Sequence, residues 1–227
     1  MSVTVKVCGL RTPDTIDAAI GAGADMLGFV FFPKSPRHVA YTDALMLAKH
    51  IGDRAYKVAL TVDASDGELD AIVEALAPDL LQLHGEEQPR RVAEVRTRYR
   101  LPVMKAIGVA TRDDVKRIEA YRLVADRILF DAKPAPGAAL PGGNGVPFDW
   151  QILAGIDIGK PYMVSGGLDA TNVRKAMLTT GAPGVDVSSG VERAPGDKDP
   201  ARIAAFVKAT RAAAEAARAA SPPQAPR

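Results

Sequence analysis

Two side chains that could exchange protons with a substrate each follow an apolar, strand-like stretch of the sequence. Cys8, the only cysteine, comes after the alternating stretch Val5–Val7 and before Gly9. Asp131 comes directly after an apolar run that ends at Phe130. A thiolate can act as a nucleophile or as a base, and a carboxyl group shielded from water can act as a general acid. A thiolate facing a protonated carboxyl could therefore move a proton between two carbon atoms.

Both residues also have a purely structural interpretation. A lone cysteine is often only a small apolar side chain of the core, and an aspartate after a strand can cap the next helix. Their places at the ends of strands favour a function, because catalytic residues of parallel α/β proteins gather at that edge of the sheet. No histidine lies near Cys8 in the sequence, which argues against a Cys–His hydrolase.

Two glycine-containing turns after late strands are suited to a phosphate group. Their residues are Ser165, Gly166 and Gly167, and Ser188, Ser189 and Gly190. Each turn precedes a predicted helix start, where backbone N–H groups and the positive end of the helix dipole attract an anion. These glycines could serve only to allow tight turns, but two turns after strands seven and eight match the recurrent phosphate site of barrels.

Three further polar residues follow predicted strands. Arg37 lies in a loop stiffened by Pro33 and Pro36, and its guanidinium could bind a carboxylate or be a solvated surface charge. His84 could orient a ligand or satisfy a neighbouring backbone group. We interpret Asp186 as a hydrogen-bond partner at the rim and not as a proton donor. These three residues complete the predicted substrate site.

Eight apolar runs, alternating with helical patterns, must position these residues. The predicted strands are Val5–Val7, Met26–Phe31, Tyr56–Val62, Leu80–Leu83, Val103–Ile107, Arg127–Phe130, Pro161–Val164 and Gly184–Val187. Helices are predicted at Pro13–Ala22, from a Thr42 cap to Ile51, at Asp66–Leu76 and Pro89–Tyr99, and after Thr111, Asp169 and Asp199. Such alternation requires a parallel sheet with right-handed crossovers. Eight units favour a single closed (β/α)8 TIM barrel, with an open doubly wound sheet as the alternative.

The predicted domain boundaries follow from composition. We expect the barrel to occupy residues 1–220, and the Pro- and Ala-containing end, 221–227, to be a flexible tail. The Pro- and Gly-rich segment Lys133–Pro147 has no apolar periodicity and is predicted to be a long loop, which in a compact domain is commonly functional.

Composition limits the classes of function and the partners. The chain has 227 residues, 47% of them hydrophobic, and a formal net charge of +2, which is too small to suggest nucleic-acid binding. A single cysteine fits a reducing cytoplasm, and we expect no signal peptide and no membrane span. The three histidines lack metal-ligand spacing, and no dinucleotide fingerprint follows a strand. We expect a monomer or homodimer that binds a small phosphorylated substrate.

Several segments together resemble the phosphoribosylanthranilate isomerase family of tryptophan biosynthesis. They are VKVCGLR, GADMLGFVFFPKSPRHV, LQLHGEE, ILFDAK, PGGNGVPFDW, SGGL and GVDVSSGVE, which extend from Val5 to Glu192. The combination of CGL, FVFFPKSPR and DVSSGVE is highly specific, whereas glycine turns alone would fit many barrels. Two departures are visible: Ala132 stands where many members have Ser or Thr, and Thr61–Asp63 stands where Phe-Val-Asn is more frequent.

The resemblance implies an Amadori rearrangement of N-(5-phosphoribosyl)anthranilate that needs no cofactor and no metal. By motif, Cys8 would be the general base, Asp131 the general acid, and Arg37 the residue that holds the anthranilate carboxylate. The SGG and SSG turns would hold the phosphate. The departures do not touch the implied acid or base.

Two alternatives stay open. One is another phosphate-binding barrel enzyme of tryptophan or histidine biosynthesis, although the histidine-pathway isomerase uses two aspartates and Cys8 argues against it. The other is a catalytically silent barrel that binds a phosphorylated metabolite, which the presence of both Cys8 and Asp131 disfavours.

Overall fold

The predicted strands close into one parallel ring. They are β1 (Thr4–Cys8), β2 (Met26–Phe31), β3 (Tyr56–Thr61), β4 (Leu80–Leu83), β5 (Val103–Val109), β6 (Arg127–Ala132), β7 (Tyr162–Val164) and β8 (Gly184–Val187). Each strand pairs with the next, and β8 pairs with β1. The (β/α)8 barrel is confirmed, and the open doubly wound sheet is excluded.

The computed structural model describes residues 3–134, 137, 142 and 147–220. The predicted tail, 221–227, and most of the predicted loop Lys133–Pro147 lie outside the described residues. Within the part of the chain that is described, no helix is long and apolar enough to cross a membrane.

The helices follow the predicted order with local differences. They are α1 (Pro13–Ala22), α2 (Tyr41–Ile51), α3 (Asp66–Leu76), α4 (Pro89–Tyr99), α5 (Arg112–Val115), α6 (Ile118–Tyr121), α7 (Val173–Thr180) and α8 (Pro200–Ala220). The cap predicted at Thr42 is wrong, because α2 begins one residue earlier and follows Ala40, which makes no side-chain cap. Asp169 does not cap α7 as predicted, because α7 follows Asn172; Asp169 instead accepts the backbone N–H groups of Thr171 and Asn172 in the turn before the helix.

Three short elements were not predicted. A 3-10 helix, Trp150–Leu153, lies between β6 and β7, and a second, Ser189–Val191, follows β8. A small antiparallel hairpin, β9 (Glu192–Ala194) and β10 (Asp197–Lys198), follows β8. The side chains of Glu192 and Lys198 are buried in this hairpin, so it contributes charged groups to the interior.

The alternation of β1 decides which side chains face the inside of the barrel. Val5 and Val7 belong to the main core between the strands and the helices. Cys8, on the other face, packs with Val30 and Leu60 inside the upper part of the ring. Because side chains alternate along a strand, Lys6 shares the inward face with Cys8. An apolar cluster fills the rest of the interior and consists of Met26, Val58, Leu80, Met104, Ala106, Leu129 and Met163.

Three aspartates clamp the opposite end of the barrel. Asp25, Asp79 and Asp126 each come one residue before an even-numbered strand, and each carboxylate accepts a backbone N–H near the start of the preceding strand. The backbone N–H of each aspartate donates back to the carbonyl of the same residue. The clamps thus join β1 to β2, β3 to β4 and β5 to β6 by paired hydrogen bonds.

The last pair of strands lacks this clamp. Pro183 stands at the equivalent position before β8 and has no side-chain acceptor. Its carbonyl instead accepts the N–H of Thr4 and so joins β8 to β1. β7 and β8 are paired through Val164 and Val185. The β7–β8 seam is therefore the least connected pair among the described strands.

Removing one clamp should affect stability and not activity. We expect Asp126→Ala to lower the free energy of unfolding by about 1–3 kcal/mol, because the buried end of β5 loses an acceptor for the N–H of Val103. Urea unfolding followed by circular dichroism measures this change. Asp113→Ala is the matched control, since that carboxylate is 83% exposed and should change stability by less than about 0.5 kcal/mol. Equal stability of the two variants would contradict the clamp.

Candidate active site

One pocket at the carboxyl ends of the strands gathers most of the predicted site residues. Its volume, including the solvent space at its open mouth, is about 520 Å³. The predicted residues that line it are Cys8, Arg37, His84, Asp131, Ser165, Asp186 and Ser188. The remaining predicted residues, Gly166, Gly167, Ser189 and Gly190, belong to the two turns that carry Ser165 and Ser188.

Cys8 ends β1 inside the barrel and is only 4% exposed. Burial, with a smaller contribution from the Asp186 carboxylate, raises the pKa of the Cys8 thiol, whereas the ammonium groups of Lys6 and Lys198 oppose that rise. Gly28 of β2 leaves room for the sulfur, because a Cβ there would lie 2.8 Å from Cys8 Sγ. The sequence therefore positions the thiol by a glycine on the neighbouring strand.

Asp186 lies below the rim and forms an ion pair with Lys6. The Nζ of Lys6 lies 2.9 Å from Oδ1 of Asp186, and the two side chains are 0% and 6% exposed. Asp186 lines the pocket and accepts a hydrogen bond, as predicted, and β8 sets it in register with Lys6 and not with Cys8. Burial acts to lower the pKa of Lys6, but the negative charges of Asp186 and Cys8 outweigh it, so the pKa of Lys6 is raised.

Asp131 is held on both of its oxygens. Oδ1 accepts the hydroxyl of Ser165 at 3.1 Å and the backbone N–H of Ala132 at 2.9 Å. Oδ2 lies 3.2 Å from Nε2 of His84. Gln82 contacts Nδ1 of that histidine at 2.9 Å and so orients its ring toward the aspartate. The carboxyl group is thus fixed in one orientation at the pocket wall.

Part of the predicted long loop lies against this pair. A Cβ at Gly142 would be 2.5 Å from Oδ2 of Asp131 and 2.6 Å from Nε2 of His84. Only a glycine can approach the two groups this closely. The expectation that a loop faces Asp131 is met at Gly142, the loop residue that the pocket wall includes.

The two glycine turns pack directly against each other. Any side chain at Gly190 would overlap the carbonyl of Leu168, which follows the first turn. Gly166 and Gly167 have positive φ angles of 82° and 61°, a region that favours glycine. The first turn does not adjoin a helix start as predicted, because α7 begins only at Val173. The second turn does not adjoin the start of an α-helix either, because Ser189 and Gly190 are part of a 3-10 turn, Ser189–Val191, and α8 begins only at Pro200.

Arg37 is buried and paired, so the alternative of a solvated surface charge is wrong. Its Nε and one terminal nitrogen contact the two carboxylate oxygens of Glu192 at 2.7 and 2.8 Å. Glu192 also accepts the Nζ of Lys198 at 2.7 Å, and Lys198 donates to the carbonyl of Ser188 at 2.9 Å. Gly9 makes room for the arginine stem, since a Cβ there would lie 2.7 Å from Cδ of Arg37. Arg37, Glu192 and Lys198 thus form one buried network of charged groups on this side of the pocket.

Sequence reasoning missed three buried charged residues at the site. Lys6 could have been found, because alternation places it on the same face of β1 as Cys8. Glu192 lies in the GVE motif without an assigned role, and Lys198 belongs to the hairpin that carries no apolar pattern. Among the described residues, no group of three or more His, Cys, Asp or Glu side chains is placed to hold a metal ion.

Comparison with known proteins gives the family. The family model described as N-(5'-phosphoribosyl)anthranilate (PRA) isomerase matches residues 5–209. The chain belongs to this family. The isomerase of Rhodopseudomonas palustris (strain HaA2) is 60% identical over 215 residues, which are 95% of this chain and 99% of that relative. The isomerase of Cereibacter sphaeroides (strain ATCC 17029) is 59% identical over 209 residues, 92% of this chain and 99% of that one.

Solved phosphoribosylanthranilate isomerases share the fold. The crystal structure of the Thermotoga maritima isomerase aligns with a TM-score of 0.82 and 32% identity, covering 92% of this chain and 99% of that one. A second isomerase structure, with a TM-score of 0.78 and 30% identity, is a complex with reduced 1-(o-carboxyphenylamino)-1-deoxyribulose 5-phosphate and also covers 92% and 99%. The resemblance stated from the motifs is therefore confirmed at the level of the family and of the barrel.

Proposed function

We propose that the chain catalyses the Amadori rearrangement of N-(5-phosphoribosyl)anthranilate to 1-(2-carboxyphenylamino)-1-deoxy-D-ribulose 5-phosphate in tryptophan biosynthesis. The observation that carries this proposal is that Cys8 of β1 and Asp131 of β6 line one pocket in a chain of the isomerase family. The reaction moves a hydrogen from one carbon of the sugar to the next, which needs one acid and one base.

The first step opens the ribose ring. Asp131 gives its proton to the ring oxygen, the bond between this oxygen and the first ribose carbon breaks, and the nitrogen lone pair forms an iminium ion. Ser165 and His84 contact opposite oxygens of the carboxyl group, so its acidic oxygen keeps one direction in the pocket. A fixed proton donor at a substrate oxygen typically contributes about 10²- to 10⁴-fold to rate.

The second step moves the double bond. The Cys8 thiolate removes the proton of the second ribose carbon, and the electron pair of that C–H bond forms a new C–C double bond and neutralises the iminium nitrogen. The enolamine takes up a proton at the first carbon and loses one from its hydroxyl to give the ketone. The substrate's own iminium accepts the electrons, so we expect no cofactor.

The two ends of the substrate have different partners. The phosphate would bind at the Ser165–Gly167 and Ser188–Gly190 turns, and the anthranilate carboxylate near Arg37. Arg37 lines the pocket as a buried guanidinium, a group that binds carboxylates well, and this supports the orientation.

Shortening the arginine should weaken substrate binding more than chemistry. We expect Arg37→Ala to raise KM by about 10- to 100-fold with a smaller effect on kcat, because Arg37 contacts neither the acid nor the base and a charge-assisted contact is worth about 1.5–3 kcal/mol. Steady-state kinetics measure this split. Arg11→Ala is the matched control, since Arg11 contacts the same loop through the Pro36 carbonyl from its exposed side. An unchanged KM in Arg37→Ala would mean that the carboxylate binds elsewhere.

The proposal is tested by mixing the protein with freshly generated phosphoribosylanthranilate and following the disappearance of its fluorescence. We expect many molecules to be converted per enzyme, and the product to be the ketose phosphate. A catalytically silent barrel would change the fluorescence only up to one equivalent of substrate. That result, or turnover only with the histidine-pathway substrate, would overturn the proposal.

We also propose a cellular location and an oligomeric state. We expect a cytoplasmic enzyme that is a monomer or homodimer and binds no nucleic acid. The Thermotoga maritima isomerase is described as dimeric, and monomers of it have been generated. Light scattering of the purified chain distinguishes the two states.

A further inference from the structure

The base role of Cys8 raises the question of what balances its negative charge. A thiolate that is 4% exposed has lost most of its hydration, so it needs a cation or hydrogen-bond donors from the protein. Its immediate neighbours on two strands are apolar, namely Val30 of β2 and Leu60 of β3. The compensating group must come from another direction.

The charged groups around the sulfur come from three elements. Lys6 lies on β1, Asp186 on β8 and Lys198 on β10, and each acts on Cys8. Asp131 and His84 act in turn on Asp186 from the opposite wall of the barrel. The positive charges of Lys6 and Lys198 thus favour the thiolate form of Cys8, and the carboxylate of Asp186 disfavours it.

Geometry favours Lys6 over Lys198. A Cβ placed on Gly28 would lie 2.8 Å from Cys8 Sγ and 3.1 Å from Lys6 Nζ. The sulfur and the ammonium therefore border the same small space. Lys6 is also the cation with the larger effect on the pKa of the Cys8 thiol. Lys198 instead donates to the carbonyl and hydroxyl of Ser188 and to Glu192.

We propose that Lys6 is a positioning residue, whose ammonium is anchored by Asp186, hydrogen-bonds the Cys8 sulfur and balances its charge when the thiolate acts as the base. This inference deepens the proposed function and rests on it for the role of Cys8. Lys6 is completely buried beneath the cysteine, so it acts through Cys8 and does not touch the substrate. Asp186 has two opposing effects: it holds the ammonium of Lys6 in place, and its own negative charge disfavours the Cys8 thiolate.

The test measures the ionisation of Cys8 directly and without substrate. Cys8 is the only cysteine, so the rate of alkylation by iodoacetamide, followed by intact mass across pH, reports on this thiol alone. We expect Lys6→Met to shift the midpoint of alkylation upward by about one pH unit or more, which slows alkylation at pH 7 about tenfold. kcat should fall similarly at pH 7 and recover partly at higher pH, with KM little changed.

A second variant keeps the test decisive if the first fails to fold. Lys6→Met leaves a buried carboxylate unpaired, whereas Lys6→Met with Asp186→Asn removes both charges. We expect the double variant to shift the midpoint upward by a smaller amount, since the loss of Asp186 acts in the opposite direction. Asp186→Asn alone should shift the midpoint downward.

A matched control uses a second buried ion pair of the barrel. Lys105 and Glu87 lie 2.8 Å apart with side chains 1% and 4% exposed. Lys105→Met with Glu87→Gln should leave the alkylation midpoint of Cys8 unchanged. Folded Lys6 variants with the wild-type midpoint would overturn the proposal. A shifted midpoint in an enzyme that never converts phosphoribosylanthranilate would instead refute the proposed function and leave the Lys6–Cys8 pairing intact.

Discussion

Replacing Cys8 by alanine should lower kcat about 10³- to 10⁴-fold while the barrel stays folded. The large loss follows because the variant has no group at this position that can remove the proton of the second ribose carbon. The fold should survive because only one sulfur atom leaves a pocket that is open to solvent, at a cost of about 1 kcal/mol. Steady-state kinetics and thermal unfolding measure the two quantities separately.

Exchange of the substrate hydrogen provides the control for this prediction. In the wild-type enzyme, the proton removed by Cys8 can exchange with deuterated water, and Cys8→Ala should show no such exchange. Gly28→Ala offers a milder comparison, because its Cβ would displace the sulfur without removing it. If Cys8→Ala kept kcat within tenfold of wild type, another residue would have to be the base.

Asp131→Asn is expected to cause a comparable loss, about 10²- to 10⁴-fold in kcat. The amide has the same shape, and its oxygen can still accept the hydroxyl of Ser165 and the N–H of Ala132. The variant differs chiefly in having no proton to give to the ring oxygen. Its KM should therefore change far less than its kcat, which steady-state kinetics will show.

The same substitution at the other end of β6 is the matched control. Asp126→Asn changes an aspartate of the clamp just before β6, at the opposite end from the pocket. We expect it to alter stability and to leave kcat unchanged. An Asp131→Asn variant with most of its turnover would remove the acid role from Asp131.

The barrel could be predicted from the sequence because its strands are nearly continuous apolar runs. The predicted bounds Met26–Phe31, Leu80–Leu83 and Gly184–Val187 agree with β2, β4 and β8. The hairpin of β9 and β10 could not be predicted, since strands of three and two residues are too short to show a period of two. The helix expected after Thr111 is divided into α5 and α6.

The sequence predicts that Cys8 and Asp131 meet at one pocket because each lies at the carboxyl end of its strand, Cys8 as the last residue of β1 and Asp131 as the next-to-last of β6. Alternation places Lys6 on the face of β1 that carries Cys8, but it does not show what would compensate a buried ammonium there. A lysine on the inner face is stable only if a carboxylate meets it, and the sequence does not reveal that Asp186 lies in register with it. The pairing of Arg37 with Glu192 likewise joins residues 155 positions apart.

The missing clamp between β7 and β8 also affects where the barrel is least stable. Three strand pairs carry an aspartate clamp, but β7 and β8 are each joined only to their other neighbours, β6 and β1, at this end. We therefore expect local fluctuations to be largest between β7 and β8, the strands that both glycine turns follow. An anion bound by both turns would add a connection between β7 and β8, the least connected pair of described strands. Substrate binding would then stabilise the barrel, and the liganded enzyme would unfold at a higher temperature than the free enzyme.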